Sequence, residues 1–275
     1  MDYESINEVL DHLDQERRTS SGDSSTDSLA MDEWDLGVGW EGALDAYTGG
    51  WSEGAKRAYD MAERLTPKPK SNRTTLHRSV TGAFPNVGAH LAGAPNAMYQ
   101  VAKKTATGRP YVHLYIPISF SGGMNAETAF DRGCAIVAVV DALETAGCRI
   151  KLTLTRTSEI GRNNAYRVCM RFMVKDYGDR LDVDQVIFTA AHPAMFRRIG
   201  FALQERSKHA TVRAETRGGY GTPSDLLESD TEPDGRAIVV RFPRLTPEHK
   251  RWTPERFLAQ MVASLPEEIQ TEIGE

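Results

Sequence analysis

The chain has 275 residues, 40% of them hydrophobic and 26% charged, which is typical of a soluble globular protein. Three cysteines are too few for a disulfide framework, and no cysteine or histidine pair has the spacing of a metal site. No apolar run approaches the length of a membrane span or a signal core. We therefore expect a cytoplasmic protein without membrane partners.

The net charge of −5 conceals an asymmetry along the chain. Residues 1–35 contain eleven Asp and Glu against two Arg, a charge of −9, so the remaining residues carry +4. Residues 1–30 are predicted to form an acidic, partly disordered extension, with a short amphipathic helix within 3–18 and a Ser- and Asp-rich linker at 19–28.

Residues 31–107 are predicted to form a helical and loop layer packed on the main domain. Two helices, at about 41–48 and 52–65, are expected on either side of a Gly-Gly turn. The composition of 81–100, dense in Gly, Pro and Ala, indicates a long ordered loop rather than regular elements.

Residues 108–265 contain the pattern of an α/β domain. The apolar run 111–118 predicts a central strand, and Asn125 can cap a helix that ends before Gly147. Two segments with period-two hydrophobicity then predict an antiparallel hairpin. The later predicted elements are helices at 182–191 and from Pro193, a strand at 235–242 and a helix from Pro254.

This order of elements predicts an α/β three-layer sandwich, in which a mostly parallel sheet carries one antiparallel edge hairpin. An N-terminal helical extension precedes this domain. Residues 266–275 are predicted to be an acidic tail that frays.

The loop after the first strand of this domain is the candidate ligand site, because open α/β sheets bind ligands at the carboxyl ends of their strands. Hydroxyl groups and backbone N–H groups at a helix N-terminus can form an anion cradle, and tight packing of small residues is the alternative. The loop lacks the phosphate-loop, dinucleotide and nucleophile-elbow motifs. The candidate residues of the loop are Ser119, Ser121, Gly122, Gly123 and Asn125.

The same stretch resembles the first strand, metal loop and helix of von Willebrand factor A-like domains. Aligned on Met124, the Asp-x-Ser-x-Ser loop of that family falls on Ser119, Ser121 and Gly123. A later Gly-Gly-Thr loop resembles the stretch that contains Thr222. The resemblance implies a site for Mg²⁺ or Mn²⁺ at Ser119, Ser121 and Thr222, with Asp225 as a further candidate.

Three hydroxyl ligands supply none of the anionic charge that such a hard cation prefers. We therefore expect no cofactor, with Mg²⁺ or Mn²⁺ as the alternative.

The whole chain also resembles a group of uncharacterised bacteriophage proteins. The similar segments are Gly50-Trp51-Ser52-Glu53-Gly54, the run FPNVGAHLAG and the run AHPAMFRRIGFALQE. This resemblance implies a phage origin and the cytoplasm of an infected host cell as the location. It implies no activity.

The function that we expect is that of a non-catalytic binding or scaffold protein that acts through protein partners. A hydrolase that uses Ser121 is a further hypothesis. The main alternative is a nucleic-acid-associated protein whose basic groups contact phosphates. The candidates for that role are Lys68, Lys70, Arg73, Arg78, Arg167, Arg171 and Lys175.

Overall fold

The structure is a computed structural model that describes residues 1–17, 36–65, 76–82, 84–101, 110–121 and 123–273. The strands are β1 (Asp2–Tyr3), β2 (Leu76–Ser79), β3 (Phe84–Pro85), β4 (Met98–Val101), β5 (Tyr111–Pro117), β6 (Arg149–Ile160), β7 (Tyr166–Lys175), β8 (Thr222–Pro223) and β9 (Ala237–Arg241). The helices are α1 (Ile6–Arg17), α2 (Gly39–Gly49), α3 (Ser52–Leu65), α4 (Val87–Leu91), α5 (Ala126–Thr145), α6 (Val183–Ala191), α7 (Gly200–Glu205), α8 (Ala210–Thr216), α9 (Pro254–Ala263) and α10 (Glu267–Ile273). The chain divides into two compact units, one of Met1–Pro67 and Pro110–Ile273 and one of Lys68–Arg109.

The sheet of the larger unit has the order β1-β7-β6-β5-β9, and β8 pairs with β6. Strands β5, β6 and β9 are parallel, whereas β7 is antiparallel to β6. The predicted hairpin is confirmed, because Gly161, Asn163 and Asn164 all have positive φ in the turn between β6 and β7. The larger unit is therefore an α/β domain with a mostly parallel sheet, as expected. The two-residue strand β1 pairs with β7 of the hairpin.

Helices α5 and α6 form the buried helical layer on the face of the sheet that carries Leu114 and Leu154. Residues 132–140 of α5 are all buried, because α6, α3 and α9 pack around this helix. Gly133 makes the contact with α6 possible, since a Cβ at this position would lie 2.6 Å from the Cβ of Ala191. The long apolar helix predicted after the first strand is thus the centre of the core.

The opposite face of the sheet is polar, and residues 222–236, whose helical structure is limited to the 3-10 turn Glu228–Asp230, lie against it. Tyr115 and Thr153 share this face in register, and the hydroxyl of Tyr115 accepts a hydrogen bond from the backbone N–H of Glu232 at 3.0 Å. The hydroxyl of Thr157 donates to the carbonyl of Ser224 at 2.6 Å. Residues 222–236 therefore cover part of this face of the sheet. The coarser prediction of an α/β domain with a mostly parallel sheet is confirmed, and its three-layer form stays a prediction.

Both ends of the chain contribute to the core of the larger unit. Tyr3 stacks on Phe172 with ring centroids 5.5 Å apart, and α1 buries Val9 and Leu13. The predicted N-terminal helix is therefore confirmed. The expectation of a frayed acidic tail is wrong for residues 267–273, because α10 buries Ile269 and Ile273.

The smaller unit contains a three-stranded antiparallel sheet of order β2-β4-β3, with α4 between β3 and β4. Asn86 caps α4 by accepting a hydrogen bond from the backbone N–H of Ala89 at 3.0 Å. Its amide nitrogen donates to the Tyr99 hydroxyl at 2.8 Å, which links the cap to β4. The expectation of a long irregular loop over 81–100 is therefore wrong.

Candidate functional site

The predicted ligand loop follows β5 and leads into α5. Asn125 caps α5 as expected, because its Oδ1 accepts a hydrogen bond from the backbone N–H of Thr128 at 2.9 Å. Ser119 is only 1% exposed, and its Oγ accepts from the backbone N–H of Thr157 at 2.8 Å. β5 ends at Pro117, so the backbone N–H of Thr157 on β6 has the Ser119 hydroxyl as its acceptor in place of a backbone carbonyl. This is a structural role for Ser119.

The remaining residues of this loop are less enclosed. Ser121 is half-buried, and its backbone carbonyl accepts a hydrogen bond from the N–H of Met124 at 3.0 Å. Gly123 is exposed, and Gly122 lies outside the described residues. The loop is therefore a tight turn whose buried hydroxyl faces β6.

The second predicted loop lies against the same edge of β6. Thr222 pairs with Glu159, two residues beyond the point where Ser119 meets Thr157. β7 pairs with one edge of β6. β8 therefore pairs with the other edge, beyond the point where β5 ends. The topology thus places the Ser119 and Thr222 segments along one strand edge, although Thr222 itself is exposed.

The Asp225 carboxylate, the metal candidate nearest to these loops in sequence, is bound elsewhere. Its Oδ1 accepts a hydrogen bond from Nε of Arg244 at 2.7 Å, in an ion pair. Within the described ranges, no three His, Cys, Asp or Glu residues come close enough together to hold a metal ion. The Asp225 carboxylate thus serves an internal ion pair, and the weak metal site implied at Ser119, Ser121 and Thr222 stays a prediction.

An unpredicted arginine, Arg132, joins the carboxyl ends of two strands at this edge of the sheet. Its Nη1 donates to the carbonyl of Pro117 at 2.6 Å, and its Nη2 donates to the carbonyl of Pro243 at 2.8 Å. Burial lowers the pKa of Arg132 to about 10, which still leaves it charged at neutral pH. The one cation within an otherwise apolar helical run was the signal in the sequence for this role.

The basic residues predicted on β7 are engaged inside the protein. The Lys175 ammonium contacts the Glu144 carboxylate at 2.8 Å and the Ile150 carbonyl at 3.0 Å. Arg167 donates to Oγ of Ser224 at 2.7 Å and pairs with Asp230, and Arg171 pairs with Asp2 and Glu232. These contacts hold β1 and the segment 222–236 against the sheet. The N–H groups of these three side chains that would bind a phosphate thus already donate to groups of the protein itself.

The other nucleic-acid candidates are in or near the smaller unit. Arg78 is exposed on β2. Lys68, Lys70 and Arg73 lie outside the described residues, so their contact with nucleic-acid phosphates stays a prediction.

A second unpredicted arginine, Arg156, is buried on the helical face of β6 and is only 1% exposed. Its Nε and Nη1 have no hydrogen-bond partner among the described residues. The guanidinium carbon lies 5.3 Å from the ring centroid of Phe196 and 5.2 Å from that of Phe201. Burial lowers the pKa of Arg156 to about 9. In the sequence this arginine looked like part of an ordinary alternating strand.

The polar face of the sheet contains a shallow cleft beside His113. The Nε2 of His113 lies 2.8 Å from Oγ1 of Thr153, and the histidine is buried, as its apolar neighbours in the sequence indicate. Burial lowers the pKa of His113 to about 4, with a further contribution from Lys151, so its imidazole is neutral at pH 7. The cleft also brings together Tyr115, Arg171 and Glu232, among other residues.

Residues 1–266 match the model of a protein family described as "Domain of unknown function (DUF7192)". The chain belongs to this family. No curated protein and no solved structure matches the chain. None of the helices in the described ranges is both long enough and apolar enough to cross a membrane.

Proposed function

We propose that this member of the DUF7192 family is a non-catalytic binding or scaffold protein that acts through a protein partner. The observation that carries the proposal is a set of three exposed apolar side chains close together in the chain of the smaller unit, Phe84, Val87 and Leu91, which we call the apolar patch. These side chains are 58%, 63% and 82% exposed. Large apolar side chains grouped on a surface mark interaction sites far more often than single ones do.

The apolar patch is held in a defined shape. Val87 and Leu91 are four residues apart on α4, so they lie on the same side of the helix. Phe84 stands on β3, which pairs with β4, and the Asn86 hydrogen bonds join α4 to this sheet. A partner that binds such a preorganised surface loses less conformational entropy on binding than one that must order it.

Contacts in the larger unit support a role without catalysis at the predicted loop. The Ser119 hydroxyl and the Asp225 carboxylate both serve internal hydrogen bonds, and they are the groups that a metal or a reaction at this loop would use. Ser121 makes no side-chain hydrogen bond to a described histidine that would activate it as a nucleophile.

We also infer that the larger unit is a degenerate von Willebrand factor A-like domain. The order β7-β6-β5-β9 and the antiparallel β7 support this inference, as does the position of the Thr222 segment beside the loop after β5. The inference of a phage origin rests on the resemblance of the whole chain alone.

The test of the proposed function compares proteins captured by the wild-type chain and by a Leu91→Asp variant, in the cells that produce it. His90→Asp is the matched control, because it adds the same charge to an exposed position of α4 and keeps the apolar patch. We expect a partner that the wild-type and His90→Asp chains recover and the Leu91→Asp chain loses. Recovery of the same proteins by all three chains contradicts the proposal.

Sedimentation at increasing concentration separates a second copy of the chain from a different protein. Wild-type dimerisation that Leu91→Asp abolishes would identify the partner as the chain itself. A monomer at all concentrations leaves the captured protein as the partner.

A further inference from the structure

We propose that Arg156 anchors an internal binding site for a small planar carboxylate, which enters by displacing the ring of Tyr220. The inference concerns the larger unit and is independent of the apolar patch. It begins from a cation that the fold buries without an acceptor among the described residues. Burial of guanidinium N–H groups without acceptors lowers the stability of the fold. A ligand that supplied acceptors to these groups would therefore bind favourably.

The fold makes room for this arginine by a specific glycine. A Cβ at Gly200 would lie 2.9 Å from Cδ of Arg156, so any larger residue at the start of α7 would displace the arginine. The turn that precedes α7, Met195–Ile199, is a π-helix, an insertion that is frequent at functional sites. It supplies Phe196, one of the two rings beside the guanidinium.

Two more buried polar groups without a described partner lie on the same two elements, β6 and α7. Ser158 lies two residues from Arg156 on the same face of β6, and its buried Oγ has no partner among the described residues. Gln204 lies one helical turn from Gly200 on the same side of α7, and its buried Oε1 is likewise unpaired there. The guanidinium nitrogens and the Ser158 hydroxyl can donate hydrogen bonds to a ligand carboxylate, whereas the Gln204 oxygen can only accept one from elsewhere on a ligand.

The walls of the site indicate a planar ligand with one negative charge. Phe201 stacks face to face on Tyr220, with ring centroids 3.6 Å apart and an interplanar angle of 1°. A planar ligand can occupy the Tyr220 position on the Phe201 ring and direct its carboxylate to the guanidinium. One cation among aromatic rings balances one carboxylate charge, whereas a phosphate dianion would be left partly uncompensated.

Displacement of Tyr220 is proposed to use the backbone freedom of the two glycines that flank it. Tyr220 is half-buried at the surface, between Gly219 and Gly221, which both have positive φ. Its hydroxyl donates to the Glu205 carboxylate, and its carbonyl accepts from Nε2 of Gln204 at 3.4 Å, a long hydrogen bond. These contacts hold the Tyr220 ring over Phe201, and the proposal requires them to break when a ligand takes the position of the ring.

The test measures binding of benzoate to the full chain by titration calorimetry at pH 7.5, with benzamide as a neutral ligand of the same shape. We expect saturable benzoate binding, no benzamide binding, and at least about tenfold weaker benzoate binding by Arg156→Met. Tyr220→Ala removes the competing ring and is expected to bind benzoate several-fold more tightly. Arg244→Met, which changes an arginine outside the site, is expected to bind like the wild type.

Several results would overturn the proposal. These are the absence of saturable benzoate binding in both the wild-type and Tyr220→Ala chains, equal binding by Arg156→Met, and equal binding of benzamide. Phosphate or chloride binding as tight as benzoate would show an adventitious ion only. Arg156→Met is expected to fold, because it replaces an unpaired buried charge with an apolar side chain, and circular dichroism checks this.

Discussion

Replacement of Ser119 by alanine tests whether the loop after β5 is structural. The change removes the acceptor for the backbone N–H of Thr157, which lies at 2.8 Å from the Ser119 oxygen in a fully buried environment. The methyl group of alanine carries no hydrogen-bond acceptor. A buried donor left unsatisfied costs about 1–3 kcal/mol, and we expect a loss of about 2 kcal/mol in the free energy of unfolding.

Urea unfolding followed by circular dichroism measures this loss as a lower midpoint at an unchanged slope. Ser121→Ala is the matched control in the same loop, because the Ser121 side chain makes no hydrogen bond to a described residue. We expect it to change stability by less than about 0.5 kcal/mol. Equal stabilities of the wild-type and Ser119→Ala chains would refute the structural role of Ser119.

Two further changes test the core and the polar face of the sheet. Gly133→Val places a Cβ 2.6 Å from the Cβ of Ala191. We expect this overpacking to lower the free energy of unfolding, measured in urea, by about 1–3 kcal/mol. Gly178→Val, at a position with no atom within 4 Å of the new Cβ, is the control and is expected to lower it less. Burial lowers the pKa of His113 from the ordinary histidine value of 6.5 to about 4 in the folded state. The stability that neutral His113 contributes is therefore present above pH 6.5 and is lost as the pH falls towards 4. His113→Gln is therefore expected to flatten the decline of the urea midpoint between pH 6.5 and 4, and an unchanged decline would contradict the assignment of this pH dependence to His113.

The sequence predicts the central elements of the fold well, because their signals are local. Alternating hydrophobicity indicates β6 and β7, and the glycine and asparagines of the intervening turn indicate the hairpin. Asn125 and Asp182 are side chains that cap helices in the predicted places. Each of these elements depends on residues a few positions apart.

The features that the sequence did not predict depend on contacts between distant parts of the chain. Thr155 and Thr157 look like a solvent-facing stripe of β6, but they are buried because residues 222–236 and their contacts close over that face. Ile269 and Ile273 look like parts of an acidic tail until α10 packs them against the core. Burial of these side chains follows from tertiary packing, which periodicity does not report.

The candidate site divides in the same way. The resemblance to von Willebrand factor A-like domains implies that the loops around Ser119 and Thr222 lie near each other, and both segments do lie along one edge of β6. The sequence does not predict that the Ser119 hydroxyl accepts a hydrogen bond from β6, or that Arg156 is buried beside two phenylalanine rings. Both depend on which residues of other elements face β6.

The most direct test of a protein-binding role is site-specific photo-crosslinking from the apolar patch in the cells that produce the protein. A photoreactive phenylalanine analogue replaces Val87, and the same analogue at Lys208, an exposed residue of the larger unit, serves as the control. We predict one discrete crosslinked product from position 87, lost on addition of Leu91→Asp and absent from position 208. No product from position 87, or the same products from both positions, would contradict the account.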